Sequence, residues 1–125
     1  MSPLWSYRAA CLHVVDGDTI RVLIDQGFGG RQQEDLRLAN VHAPEMPHPG
    51  GPQTRDYVTE WMATLPAGAK WPLLVQTQPT TGPDPHQRRT FTRYVADVTD
   101  ATGTRNLNGD IREFLAQYPG WGPGE

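Results

Sequence analysis

The chain has 125 residues, with Lys+Arg 11 against Asp+Glu 14 and a formal net charge of -3. That length holds one compact domain and not comfortably two. The acidic balance excludes a global basic field, so contact with DNA or RNA has to come from a local positive cluster. A hydrophobic fraction of 37% allows one modest core, while Gly 13 and Pro 12 favour turns and short strands over long helices.

The one cysteine, Cys11, excludes an intrachain disulfide or a paired-cysteine metal site and reads as a small buried core residue. No charged stretch precedes an apolar run at the N-terminus, so no signal peptide is expected. No apolar run approaches the length of a membrane span, and an intracellular protein without a membrane partner is the expectation. Lys70 is the only lysine. Arginine presents a planar fork that matches phosphate oxygens, although a GC-rich coding sequence produces the same bias.

In chain order, residues 5–15 are mostly apolar and end at the turn-like Asp16-Gly17. Ile20, Val22 and Ile24 then alternate with Thr19, Arg21 and Leu23, so the two runs form a hairpin. Gly27-Phe28-Gly29-Gly30 reads as a flexible loop; no GK[ST] follows it, which argues against a phosphate-cradling P-loop. Residues 35–41 make a third strand, with Leu36 and Leu38 on one face and Arg37 and Ala39 on the other. A Pro-rich loop, 42–52, leads into a helix over roughly 53–65, where Val58, Trp61, Met62 and Leu65 follow helical spacing. Residues 70–77 and 90–98 supply two more strands, separated by the polar segment 78–88. Leu107, Ile111, Leu115 and Tyr118 form a second, shorter helical stripe. The whole is an α+β chain, mainly β, consistent with a five-stranded OB-fold-like barrel and two flanking helices. One domain over 1–118 is followed by a Gly/Pro-rich tail, 119–125, not expected to hold regular structure.

Four features carry possible chemistry. Asp16 and Asp18 put two carboxylates on one turn, where they repel unless a cation lies beside them; a plain Asx turn is the other reading. Arg37 interrupts an apolar strand and needs an anion, whether a ligand or a carboxylate such as Asp35 or Glu45. Pro44 stiffens the turn before Glu45, a carboxylate able to orient water or take its proton, or simply a surface residue. Arg93 shares a face with Phe91 and Val95 and so points where apolar side chains point. Arg88, Arg89 and Tyr94 are candidate substrate contacts, the two arginines being equally open to a solvated role.

Taken in order, Val15-Asp16-Gly17-Asp18-Thr19, Leu36-Arg37-Leu38 with Pro44-Glu45, a helix, Arg93-Tyr94-Val95-Ala96-Asp97-Val98 and Asn106-Leu107-Asn108 resemble the staphylococcal nuclease family, also called the thermonuclease or SNase-like domain. The resemblance runs from about Val14 to about Leu115. It implies metal-dependent hydrolysis of DNA or RNA phosphodiester bonds. It assigns Arg37 and Arg93 to charge neutralisation on the phosphate and Glu45 to activation of the attacking water. It makes Asp18 a metal ligand, with Asp16 behind it and the Ala43 carbonyl as a further ligand. The family's metal is Ca2+.

The sequence departs from the pattern at His42, where the family carries a metal-binding aspartate. Imidazole is a poor calcium ligand, so either His42 shifts the preference toward Mn2+, Ni2+ or Zn2+, or it hydrogen-bonds nearby and water completes the coordination. Little sequence follows the second helix, so the family's third helix is expected to be absent or reduced to the tail. Retention of Arg37, Glu45 and Arg93 together favours an active nuclease. The alternative is a non-catalytic OB module that binds nucleic acid or protein.

Overall fold

The computed structural model describes residues 5–78 and 94–121. The strands are β1 (Trp5–Asp16), β2 (Thr19–Gly27), β3 (Gly30–Leu38), β4 (Leu73–Gln78) and β5 (Tyr94–Asp100). Helix α1 spans Gly51–Ala63 between β3 and β4, and α2 spans Leu107–Ala116 after β5. The strands close in the order β1-β2-β3-β5-β4, with β3 and β5 parallel and every other pair antiparallel. This is an OB-like barrel, as the count and order of strands and helices suggested.

The period-two pattern explains the closure. Ile20, Val22 and Ile24 on β2, Leu36 and Leu38 on β3, Leu73 and Val75 on β4, and Ala96 and Val98 on β5 are all buried. Each points inward from a pleated strand, so the barrel interior is filled by side chains. Val58 and Trp61 of α1 and Leu107 and Ile111 of α2 extend the same core outside the barrel. Val58 and Trp61, and Leu107 and Ile111, are the buried members of the two stripes foreseen; Met62, Leu65 and Leu115 pack at the core's edge, half-buried, Leu65 lies beyond the end of α1, and Tyr118 lies beyond α2 and is exposed. Cys11 is also half-buried at the edge of the core, and burial pushes its thiol pKa up. Among the described residues, no helix is long and apolar enough to cross a membrane.

Several boundaries differ from the sequence reading. The third strand begins at Gly30, because Gly27-Phe28-Gly29-Gly30 is no flexible loop. It is a two-residue hairpin turn with Gly27 paired to Gly30 and positive φ at both Phe28 (54°) and Gly29 (80°). That backbone matches the strands' right-handed twist, and β2 and β3 pair from the turn to Thr19 and Arg37, with a register shift between Asp25 and Gly27. Helix α1 starts at Gly51 because Pro52 suits a first turn, where a missing N–H costs nothing. The tail also departs from expectation. Pro119–Trp121 forms a 3-10 turn, and Trp121 stacks on Tyr118 with ring centroids 4.2 Å apart. Val95 was expected on the apolar face; it is half-exposed, because Ala96 and Val98 take the inward positions.

Candidate active site

The site is built where β1 turns into β2. The β1–β2 register slips between Val14 and Asp16, and such a bulge re-aims the side chains beside it. Asp16 Oδ1 accepts a hydrogen bond from the Asp18 N–H at 3.1 Å, the Asx turn foreseen as one reading. The turn also brings the two carboxylates together. Asp18 is nearly buried, and its Oδ1 accepts from the Thr19 hydroxyl at 3.1 Å. Burial, with the Asp16 carboxylate beside it, pushes the Asp18 pKa up to about 6, against the opposing pull of Arg37 and Thr19.

Gly17 locks this turn onto the rest of the molecule. A Cβ there would lie 2.5 Å from Thr54 Cγ2 and 2.7 Å from Ala43 Cβ, so only glycine lets α1 and the Ala43 segment approach this closely. Thr54 is itself buried and donates to the Gly50 carbonyl at 2.7 Å. Ala43, named from sequence as a carbonyl ligand, is therefore packed against the Asp16–Asp18 turn.

Strand register supplies the positive charge. Thr19 pairs with Arg37 across β2 and β3, and the Leu38 N–H donates to the Asp18 carbonyl at 2.8 Å. Arg37 thus lies outside the barrel beside Asp18, with Nη2 3.9 Å from Asp18 Oδ2 and 39% of its side chain exposed. Its partner is neither Asp35 nor Glu45, the two foreseen. Asp35 instead accepts from Arg21 Nε at 2.8 Å, because the register puts Arg21 opposite it.

The segment after β3 carries the remaining candidates. Asn40 holds the left-handed backbone (φ 59°) that reverses the chain, a conformation asparagine tolerates. His42 and Glu45 are both exposed, while Val41, Ala43 and Pro44 are buried and anchor them. The Glu45 carbonyl accepts from the His48 N–H at 2.9 Å, and Glu45 Oε1 lies 4.0 Å from His48 Nε2. A Cβ on Gly51 would strike the Glu45 carbonyl, so this glycine lets the Glu45 loop close against α1, while one on Gly50 would strike the Trp121 ring that packs there. Arg88, Arg89 and Arg93 lie outside the described residues; of Tyr94, the backbone pairs with Leu36.

No protein-family model and no curated protein matches the chain.

The donor set can be tested against a divalent cation. Two adjacent carboxylates, one held back from ionising, are the kind of oxygen donors that a hard divalent ion takes. Among the described residues, no group of three or more His, Cys, Asp or Glu gathers as a metal cluster. Asp16 and Asp18 are the carboxylates this turn could offer to a divalent ion, and His42 does not join them in a cluster of three.

Asn106 and Asn108, read from sequence only as part of the entry to the last helix, have structural roles that the sequence did not assign. Asn106 caps α2 by accepting from the Gly109 N–H at 2.7 Å. Asn108, fully buried, accepts from the Val98 N–H and donates to the Ala39 and Ala96 carbonyls, each at 3.0 Å. It joins α2 and β5 to the end of β3, just beyond Arg37. The Asn106-Leu107-Asn108 motif marked this helix entry in the sequence, but polar residues at a helix start are explained by capping alone, so the role of Asn108 was not legible there.

Crowding the two carboxylates has a thermodynamic consequence. The Asp18 pKa rises from 3.8 to about 6 on folding, so the folded state binds more protons than the unfolded one between those values. Stability contributed by protonated Asp18 is fully present below about pH 4 and is lost as pH rises through about 6. Asp18→Asn keeps the shape and the acceptor for Thr19 but removes the charge. It is expected to raise the Tm at pH 7.5 by a few degrees, at roughly 4 °C per kcal/mol for a domain of this size, with the gain vanishing near pH 4. Thermal melts at the two pH values check this; an unchanged or lower Tm at pH 7.5 contradicts it.

Proposed function

We propose that the chain is a metal-dependent nuclease of the thermonuclease type, hydrolysing phosphodiester bonds of DNA or RNA. The observation that carries this reading is the placement of Arg37 beside the Asp16–Asp18 pair on the outer face of β3, on a turn locked by Gly17. Arg37 is half-exposed, with its nearest carboxylate at 3.9 Å, so its guanidinium remains available to the oxygens of a phosphate.

In this reading Arg37 holds the phosphate and offsets the negative charge that grows as water adds to phosphorus. Glu45, exposed on its anchored loop, takes the proton of the attacking water as the P–O ester bond breaks, and the leaving oxygen takes a proton from solvent to depart as an alcohol. Arg93 supplies a second guanidinium, by the same resemblance. Asp16 and Asp18 would hold a divalent cation, Ca2+ or another hard ion, which would supply positive charge near the phosphate. The net charge of -3 makes binding depend on local cations, and so on salt.

The test is cleavage of labelled single-stranded DNA, RNA and duplex by the purified protein, with EDTA and with Ca2+, Mg2+, Mn2+, Ni2+ and Zn2+ in turn. Cleavage is expected with a hard ion and none in EDTA. Activity restricted to Ni2+ or Zn2+ would bring His42 back as a ligand. Binding without cleavage under every ion would make the chain a binding module instead.

A further inference from the structure

The tip of the β2–β3 hairpin is built against local preference. The two-residue turn needs positive φ at both central positions, which Asn, Asp and Gly fill most readily. Here the first of them is Phe28, at φ 54° and 111% exposed. A bulky residue in this conformation is an outlier. It gains no burial in return, so the fold does not explain it.

The surroundings are cationic and aromatic. Phe28 lines a shallow groove with Arg8, Asp25, Arg31, Lys70 and Trp71. Arg8 donates to Asp25 Oδ2 at 2.7 Å, and the same carboxylate accepts from the Gly27 N–H at 2.9 Å, tying β1 to the base of the turn. Among the described residues, no ion pair involves Arg31 or Lys70. Lys70 Nζ lies 6.0 Å from the centre of the Trp71 ring. Three cations against one carboxylate, set among two aromatic rings, form a local positive patch on a chain of net charge -3.

We infer that this groove is a stacking platform for single-stranded nucleic acid, with a base on Phe28 and phosphates on Arg31 and Lys70. Exposed aromatic rings beside cations accept any base, since every base has a π face. Arg31 and Arg37 have the same parity on β3 and face outward together, six residues and roughly 20 Å apart. A strand held at Arg37 and laid along β3 thus reaches the hairpin tip. That continuity rests on the nuclease reading; the binding surface itself does not.

Two assays keep the ideas separate. The first is equilibrium binding of fluorescein-labelled dT12 and U12 to the full chain in EDTA, by anisotropy at several salt concentrations. Phe28→Ala is expected to weaken binding about tenfold, Phe28→Trp to retain it, and Arg31→Glu with Lys70→Glu to weaken it and flatten the salt dependence. Circular dichroism and melting confirm that each variant is folded. The second is cleavage of a dinucleotide, too short to reach the hairpin, which Phe28→Ala is expected to leave unchanged while raising the KM for a 12-mer about tenfold. Loss of 12-mer binding in Phe28→Ala without any cleavage by wild type leaves the platform standing and removes the nuclease reading. Cleavage by a Phe28→Ala variant that binds dT12 and U12 as wild type does overturns the platform and spares the nuclease. Absence of dT12 and U12 binding by wild type overturns it also, as does equal binding of a poly-glutamate peptide that is insensitive to Phe28→Ala.

Discussion

Arg37→Ala is expected to lower kcat for cleavage about a thousandfold while shifting the Tm by no more than a few degrees. The two parts of this result have separate causes. A guanidinium that stabilises charge developing on a phosphate is worth about 10³ or more in rate. Its structural contribution is small, since the contact with Asp18 is 3.9 Å long and the side chain is 39% exposed, the range in which ion pairs contribute about 0–1 kcal/mol. Arg37→Lys keeps the charge but loses the fork and should recover only part of the activity. Glu45→Ala should cost about 10²–10⁴ by loss of proton transfer, again with little change in stability because the side chain is exposed. The double variant should fall short of the product of the two effects, since residues acting on one transition state are not additive. Cleavage that survives both substitutions with kcat within about threefold of wild type is incompatible with the proposed mechanism.

Asn108→Ala is expected to lower stability by about 3–5 kcal/mol, the largest effect expected of a single polar side chain among the described residues. Its side chain makes three hydrogen bonds at 3.0 Å inside the core, to Val98 N–H and to the Ala39 and Ala96 carbonyls. Truncation leaves a buried N–H with no partner and a carbonyl nearly so, each costing about 1–3 kcal/mol. The Ala96 carbonyl keeps the Ala39 N–H at 2.8 Å, which limits the loss there. At about 4 °C per kcal/mol the Tm should fall by roughly 12–20 °C. Asn106→Ala is the internal comparison: it removes a helix cap and should cost about 1 kcal/mol. Similar melting temperatures for the two variants would show that Asn108 is no more than a second cap. Ala39 lies two positions beyond Arg37, so activity in Asn108→Ala should decline together with stability.

The first hairpin, both helices and the inward and outward parity of β3 were legible in the sequence; the tight turn of the second hairpin was not. Ile20, Val22 and Ile24, then Leu36 and Leu38, alternate because a strand has two faces and one of them is dry. Arg37 stands out in that pattern because charge on a strand must face outward or be paired. The DGDT turn was legible for a related reason, since two carboxylates two residues apart can share one turn but cannot ignore each other.

Pairing was not legible. Parity tells which face a residue takes and says nothing of its neighbour across the sheet. The register of β2 against β3 decided that Arg21 meets Asp35, leaving Arg37 to Thr19 and thus to Asp18. The packing of Gly17 on Thr54 and Ala43, the span of Asn108 from α2 to β3, and the contact of Trp121 with Gly50 all join residues far apart in the chain. No local pattern encodes them. The sequence by itself determined the alternation of faces and the supply of carboxylates and guanidiniums, because these depend on a residue and its immediate neighbours. Only the tertiary structure decided which of those groups meet, because barrel closure and strand register bring distant segments to within a hydrogen bond of each other.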